Sequence, residues 1–322
     1  MYIVTGGAGF IGSAFAAKLN SEGIDNIILV DELETSPKWK NLLNLRYENY
    51  LDKEDFIELV LADQLPRDVK AIIHMGASSS TSETDMSYLM ENNYRYTRTL
   101  CEYALENEIR FIYASSAATY GSGDRGYCDS NANSEKLTPT SPYGYSKHVF
   151  DLWVIKNKLD DKIAGLKYFN VYGPNEYHKA DGRSVIYNAY QQIKETGKCK
   201  LFKSHKDGWK DGEQQRDFVY IKDCIEVTYW LLNKPEVNGI FNCGTGKCRT
   251  FKDLANSVFT ALGKNSNIEY VDMPENLQPQ YQYYTEAKLD KLKAAGCDVK
   301  FHSLEDGAKD YVLNYLETDR HL

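Results

Sequence analysis

The chain of 322 residues has no run of some 18 apolar residues, the length a membrane-spanning helix needs, so no transmembrane segment is expected. Nor is there room for a signal peptide before Tyr2-Ile3-Val4, which already reads as a strand, and a cytoplasmic location is the expectation. Basic residues are in deficit: 38 Lys and Arg against 46 Asp and Glu leave a net charge of −8. That balance gives no field to collect a polyanion, and a nucleic-acid partner is not expected. The seven cysteines are scattered, with no Cys-x-x-Cys and no histidine at ligand spacing, which points to reduced thiols and to no metal site. Repeats, heptads and low-complexity tracts are missing too. What remains is an ordinary globular composition, 42% hydrophobic and 26% charged, in a chain about twice the roughly 150 residues usual for one domain.

Short β-branched runs alternate with helical spacing through the first half. Strands are predicted over 2–5, 27–31, 71–74, 111–115 and 163–169, and helices over 12–21, 54–61, 88–106 and 143–158. Strand, helix, strand in that order requires parallel pairing with right-handed crossovers, hence a Rossmann-like, doubly wound α/β sheet over 1–171. Beyond residue 172 the pattern loosens into a smaller mixed α/β lobe over 172–322, with the chain free to cross back between the two. Helices are expected there over 187–196, 221–233, 251–262 and 303–317, and strands over 217–220, 239–242 and 268–271. The polar stretch 203–215 reads as a solvated loop.

Directly after the first strand comes Thr5-Gly6-Gly7-Ala8-Gly9-Phe10-Ile11-Gly12, leading into a helix. Glycines at 6, 9 and 12 permit a tight turn, close approach of a pyrophosphate to the backbone, and packing of the helix on the sheet. The free N–H groups at the start of that helix then favour phosphate. The second strand ends in Asp31, 19 residues after Gly12, where a carboxylate accepts from ribose hydroxyls. Glu32 follows, and two carboxylates argue for NAD, whereas Lys38, Lys40 and Lys53 argue for the 2′-phosphate of NADP.

Tyr143-Gly144-Tyr145-Ser146-Lys147 places Tyr143 and Lys147 one helical turn apart, on one face. Tyr190/Lys194 and Tyr284/Lys288 share that spacing, so position singles out the first pair: it opens a helix 27 residues after Ser116, at a strand's carboxyl end. Oxidising an alcohol by hydride transfer needs a base for the hydroxyl proton, and a tyrosine of ordinary pKa serves only with a cation beside it. In this reading Tyr143 is the acid/base group, Lys147 the cation, and Ser116 a hydrogen-bond donor to the reacting oxygen.

The segments TGGAGFIG, SSAATYG and YGYSK together resemble the extended short-chain dehydrogenase/reductase superfamily of sugar-nucleotide epimerases and dehydratases. KYFNVYGPNEYHK (167–179), RDFVYIKD (216–223) and IFNCGTG (240–246) carry the resemblance further, to the branch acting on C6 of ADP-heptose for the inner core of lipopolysaccharide. Similar segments run through nearly the whole chain. The resemblance implies a second acid/base residue, Lys179, serving the carbon face that Tyr143 does not. It implies NADP, with NAD possible, held by Phe10, Ile11, Asp31, Glu32, Lys38, Lys53, Met75, Gly76, Ala77, Ser78, Ser79, Asn92, Lys147, Val171 and Lys179. It places the sugar nucleotide on Ser116, Asn170, Asp181, Asn188, Phe202, Lys203, Ser204, His205, Arg216 and Tyr281, and it implies a homo-oligomer, a homopentamer. For Arg216 the chemistry agrees, since a guanidinium fork suits pyrophosphate.

Three rival readings share parts of this pattern. A 4,6-dehydratase needs a proton donor directly after Ser116, where Ala117-Ala118 stand. A UDP-hexose 4-epimerase uses a single base and has no need of Lys179. A non-catalytic dinucleotide sensor has no need of Ser116, Tyr143 and Lys147 together.

Overall fold

Short runs buried at every position, such as Ile27–Asp31 and Ala71–His74, need cover on both faces, and a parallel sheet between two helical layers supplies it. The structure, a computed structural model, describes residues 1–80, 83–179, 182–275, 278 and 281–322. Its first half runs β1 (Tyr2–Thr5), α1 (Phe10–Ser21), β2 (Ile27–Asp31), β3 (Asn49–Asp52), α2 (Lys53–Leu61) and β4 (Ala71–His74). Next come α3 (Met86–Leu89), α4 (Tyr96–Glu106), β5 (Arg110–Ser116), α5 (Asn131–Ser134), α6 (Pro142–Lys156) and β6 (Ala164–Tyr168). The second half adds β7 (Asn170–Tyr172), α7 (Val185–Thr196), β8 (Cys199–Phe202), β9 (Gln215–Arg216), β10 (Phe218–Tyr220) and α8 (Ile221–Leu232). It ends with β11 (Gly239–Cys243), β12 (Arg249–Thr250), α9 (Phe251–Ala261), β13 (Ile268–Val271), α10 (Asp290–Ala294) and α11 (Leu304–Tyr311).

Seven strands form one sheet in the order β11-β6-β5-β4-β1-β2-β3, and all its pairs are parallel. The chain winds one way from β1 to β3 and the other way from β4 outward, so the switch point lies between β1 and β4. There Thr5 is in register with His74, which sets the glycine turn opposite the segment that follows β4. A crevice at that point, outside the strands' carboxyl ends, is where ligands bind in such sheets. Alternation along β1 sends Val4 to the layer of Phe15 and Leu19 and Ile3 to the layer of Phe56, Leu100 and Phe150.

The second half returns one strand to the main sheet: β11 pairs with β6, Gly239 opposite Ala164. The remaining strands pair locally, β7 with β10, β8 with β13 and β9 with β12. Several features differ from the sequence expectation: β7, β8, β9, β12 and α10 lie outside the expected elements, and the helix expected over 303–317 passes into a π turn at Val312–Leu316. β3 is an added edge strand, too polar to show a strand pattern, and the helix expected over 88–106 contains a π turn at Met90–Arg95 between α3 and α4. Among the described residues no helix is long and apolar enough to cross a membrane, and no group of three or more His, Cys, Asp or Glu could hold a metal ion.

Between β5, β6 and α6 lies a fully buried ion pair, Lys167 Nζ to Asp151 Oδ2 at 2.5 Å. Asp151 also accepts from Ser115 Oγ (2.7 Å) and Tyr113 Oη (2.9 Å), and Lys167 donates to Thr119 Oγ1 (2.8 Å). The network clamps the end of β5, which carries Ser116, onto the helix that carries Tyr143 and Lys147. Lys167→Met should therefore destabilise the chain by about 3–5 kcal/mol, the cost of stranding a buried charge. Urea unfolding at neutral pH measures it, and a loss below about 1 kcal/mol would contradict this placement of Asp151.

Candidate active site

The glycine turn is a backbone-on-backbone contact. Gly6 adopts φ +63°, and a Cβ there would stand 2.7 Å from Gly76 N; one on Gly12 would stand 2.1 Å from Gly6 O. Gly9 caps α1 without any side-chain partner, so the first N–H groups of the helix are open to a ligand. Asp31 faces this turn. Its carboxylate accepts from Ala8 N (2.8 Å), Glu32 N (2.8 Å) and Lys38 Nζ (2.7 Å), while Lys53 Nζ pairs with Glu32 at 2.7 Å and reaches Asn92 Oδ1 at 3.5 Å. Two cations and two anions thus meet at the end of β2, a combination that neither residue type announces alone.

The opposite wall, Met75–Ser79, is held by residues the sequence reading did not single out. His74 Nε2 lies 2.8 Å from Thr97 Oγ1, whose own proton goes to Asn93 O, so the ring donates there. His74 Nδ1 then accepts from Thr5 Oγ1 at 2.6 Å, tying β4 to β1. Burial pushes the His74 pKa down to about 3, the Lys147 charge adding to it, and the ring stays neutral. In the π turn, buried Asn93 accepts from Ser78 N (2.8 Å) and donates to Ser78 O (3.0 Å) and Ser146 Oγ (3.0 Å). Its neighbour Asn92 donates to the same Asn93 Oδ1 (3.1 Å) and turns its own oxygen to Lys53 (3.5 Å). The π turn is what sends these successive asparagines to different tasks, and no periodicity announces it.

Helix α6 begins at Pro142 with Ser141 as its cap, accepting from Gly144 N at 3.1 Å. A Cβ on Gly144 would lie 2.6 Å from Ala118 O, so the glycine lets the helix start press against the turn after Ser116. Tyr143 and Ser116 come within hydrogen-bonding reach. Burial raises the phenol's pKa, and the Ser116 bond acts the other way. Lys147 donates from Nζ to Ala114 O at 2.8 Å. Burial pushes its pKa down to about 8, against the pull of Asp151, and the ammonium form still prevails at neutral pH.

Lys179 arrives from a different part of the chain, the loop between β7 and α7. Its Nζ sits 4.9 Å from the centre of the Phe10 ring, over the first turn of α1. Burial lowers its pKa and Glu176 opposes the shift. The same loop is docked on the glycine turn by buried Asn41, whose amide donates to Ala8 O (2.9 Å) and Asn175 O (3.0 Å) and accepts from His321 Nδ1 (2.7 Å). Asn41 lies in the short 3₁₀ segment Pro37–Leu42, outside any regular pattern, and its role is invisible until three distant segments meet.

One cleft of about 900 Å³ is lined by Gly6, Gly9, Phe10, Ile11, Gly12, Asp31, Glu32, Lys38, Lys53, Met75–Ser79, Asn92, Ser116, Tyr143, Lys147, Asn170, Val171 and Lys179. Every residue of the implied dinucleotide and acid/base sets is therefore on its wall, whereas Lys40, weighed beside Lys38 and Lys53 for a 2′-phosphate, is exposed and does not line it. A glycine cradle that a Cβ would fill, an uncapped helix start and an acid at the end of β2 fit a nicotinamide dinucleotide.

The other expected sugar-nucleotide residues gather partly elsewhere. Arg216, buried, lies between Phe251 (5.6 Å) and Tyr281 (5.3 Å), and Tyr281 meets Phe202 and His205 edge-on at 6.4 Å each. Tyr283, not anticipated, organises this box: its hydroxyl lies 2.9 Å from His205 Nδ1 and accepts from His205 N at 3.0 Å. Ser204 Oγ is 3.3 Å from the same hydroxyl, whereas Lys203 pairs outward with Asp272 at 3.0 Å. Asn188 is exposed on α7, and Asp181 lies outside the described residues.

The NAD dependent epimerase/dehydratase family model matches residues 2–244. The chain is 56% identical to the ADP-L-glycero-D-manno-heptose-6-epimerase of Nitratidesulfovibrio vulgaris strain DP4, over 98% of each chain. Among solved structures it superposes on the Helicobacter pylori ADP-L-glycero-D-manno-heptose-6-epimerase with TM-score 0.83 at 27% identity, covering 97% of this chain and 95% of that one. The Thermus thermophilus UDP-glucose 4-epimerase, solved as its NAD complex, gives TM-score 0.76 at 26% identity over 97% of both. Matched over most of its length and carrying the glycine turn, Ser116, Tyr143 and Lys147 in one cleft, the chain belongs to the NAD dependent epimerase/dehydratase family.

Proposed function

We propose that the protein is an isomerase that inverts C6 of ADP-heptose, converting the D-glycero-D-manno form to the L-glycero-D-manno form for the lipopolysaccharide inner core. One observation carries the reading: Tyr143 and Lys179, from α6 and from the loop after β7, line the same cleft as the glycine turn. The relatives' names supply the sugar. A nicotinamide dinucleotide, held by the glycine turn, Asp31, Lys147 and Met75–Ser79, would supply a hydride acceptor and donor.

Inversion requires hydrogen to leave C6 on one face and return on the other, so the oxygen on that carbon is presented in two orientations. Tyr143 takes or gives its proton in one and Lys179 in the other. Ser116 Oγ accepts from Ala118 N at 3.1 Å, and its O–H, in reach of Tyr143, would turn to the reacting oxygen when substrate is bound. Lys147, one helical turn along α6 from Tyr143 and cationic below about pH 8, would lower the phenol's cost of ionising when it acts as base. A one-base 4-epimerase would leave Lys179 without a task, and Ala117-Ala118 give a dehydratase no acid.

For the cofactor we favour NADP, because Lys38 and Lys53 stand on the cleft wall and can turn from Asp31 and Glu32 to a 2′-phosphate. A cytoplasmic homo-oligomer, a homopentamer by resemblance, completes the proposal.

Tyr143→Phe and Lys179→Met should each lose epimerisation of ADP-heptose by at least ~10²-fold, with fold and cofactor content kept. The double variant should be little worse than either, since groups acting as a unit are not additive. Near wild-type turnover by Lys179→Met, followed by NMR of the C6 epimers, would overturn the two-group reading. Nucleotide released on denaturation should be NADP, and Lys53→Ala should shift retention toward NAD. Release of NAD alone from the unaltered protein would show that Asp31 and Glu32 outweigh the lysines.

A further inference from the structure

Within the GPNEYHK segment one carboxylate has no part in the chemistry above. Glu176 is 1% exposed, and a carboxylate that far from water must be matched by donors. It accepts from Gly173 N (3.3 Å), Ser184 N (2.5 Å) and Ser184 Oγ (2.7 Å). Gly173 leaves β7 and Ser184 caps α7, accepting from Tyr187 N at 3.2 Å, so one side chain joins both ends of the loop. Lys179 lies inside that loop, and its own N–H donates to Glu176 O at 3.0 Å. We infer that Glu176 is a positioning residue for Lys179: it closes the loop that holds the lysine over α1 and places a negative charge behind its ammonium.

The charge has a purpose as well as the bonds. Burial drives the Lys179 ammonium toward its neutral form and Glu176 opposes this, while burial raises the Glu176 pKa and Ser184 and Lys179 oppose that. Among the described residues the other groups near the pair offer no substitute. Phe10 faces Lys179 from α1, and Tyr311 of α11 faces Glu176. His178, near Lys38 and Asp31, is held neutral, its pKa pushed down to about 4 by burial and by Lys179 itself. A group that gives a proton as one epimer forms and takes it back from that same epimer in the reverse direction must hold both forms, and a counter-charge at the loop's base keeps the ammonium form available. A glutamine with its oxygen in the Oε1 place would still accept from Gly173 N and Ser184 Oγ, but its amide protons would meet the Ser184 N–H.

This inference rests on the role proposed for Lys179, so Lys179→Met is measured beside Glu176→Gln and Glu176→Asp, all as full chains with their copurified cofactor. Epimerisation of ADP-heptose is followed against pH, with cofactor content and thermal midpoint. Glu176→Gln should keep its cofactor, lose at least about tenfold in kcat with KM changed less than about threefold, and move one limb of its pH profile to lower pH. That is the alkaline limb where Lys179 gives the proton and the acidic limb where it takes one. Glu176→Asp, which keeps the charge but reaches less far, should lose kcat without moving the limb. A Glu176→Gln profile superimposable on the unaltered protein would overturn the inference, whatever its rate or midpoint. If Glu176→Gln does not fold, Glu176→Asp decides: unaltered kcat refutes the inference. Full activity in Lys179→Met would bring down the two-group reading itself, whereas an inactive Lys179→Met with an unmoved Glu176→Gln profile removes this inference alone.

Discussion

Backbone meets backbone at the sheet's switch point, and the cleft is built outward from that contact. Gly6 against Gly76 and Gly12 against Gly6 leave no space for side chains, so β1 can turn into α1 within four residues and still lie on the end of β4. The turn then offers its edges to the neighbours. Ala8 N bonds Asp31 and Ala8 O bonds Asn41, while Phe10 gives Lys179 a ring to lie over. Acid, asparagine and lysine come from three parts of the chain, and each is placed by reference to the same few peptide units.

A second constraint lies below the cleft floor. Lys147 has its charge weakened by burial and sustained by Asp151, which also anchors Ser115 and neutralises Lys167. The group that steadies the charge beside Tyr143 is therefore the group that fixes the end of β5 to α6. Buried ion pairs contribute little net stability, but they specify geometry where a catalytic set is assembled from two elements. In the proposed mechanism Glu176 does the corresponding work for Lys179, so that Lys147 and Lys179 would each be sustained by a buried carboxylate.

The strands over 2–5, 27–31 and 71–74 were legible because continuous apolar runs bounded by turns leave no other solution, and their bounds coincide with β1, β2 and β4. β3 was not, since Asn49–Asp52 is polar and half-exposed at the sheet's edge. Residues of the cleft wall were readable wherever their placement is local: a glycine turn after a strand, or an acid at a strand's end. Asn41, Asn93 and Glu176 escaped because they act by joining segments far apart in sequence, which no local spacing encodes. The aromatic box is an intermediate case. Resemblance named Phe202, His205, Arg216 and Tyr281, which do meet, yet Tyr283, whose hydroxyl holds His205, carries no signal in the sequence.

In the proposed mechanism C6 is inverted by removing hydrogen as hydride and returning the same hydrogen to the opposite face, with Tyr143 and Lys179 handling only the oxygen-bound proton. Epimerisation of ADP-heptose in deuterated water, with the C6 position read by NMR after equilibrium is reached, tests this directly. No deuterium at C6 is the predicted result. Stoichiometric deuterium there would mean that a base removes the C6 hydrogen as a proton, and the account would be contradicted.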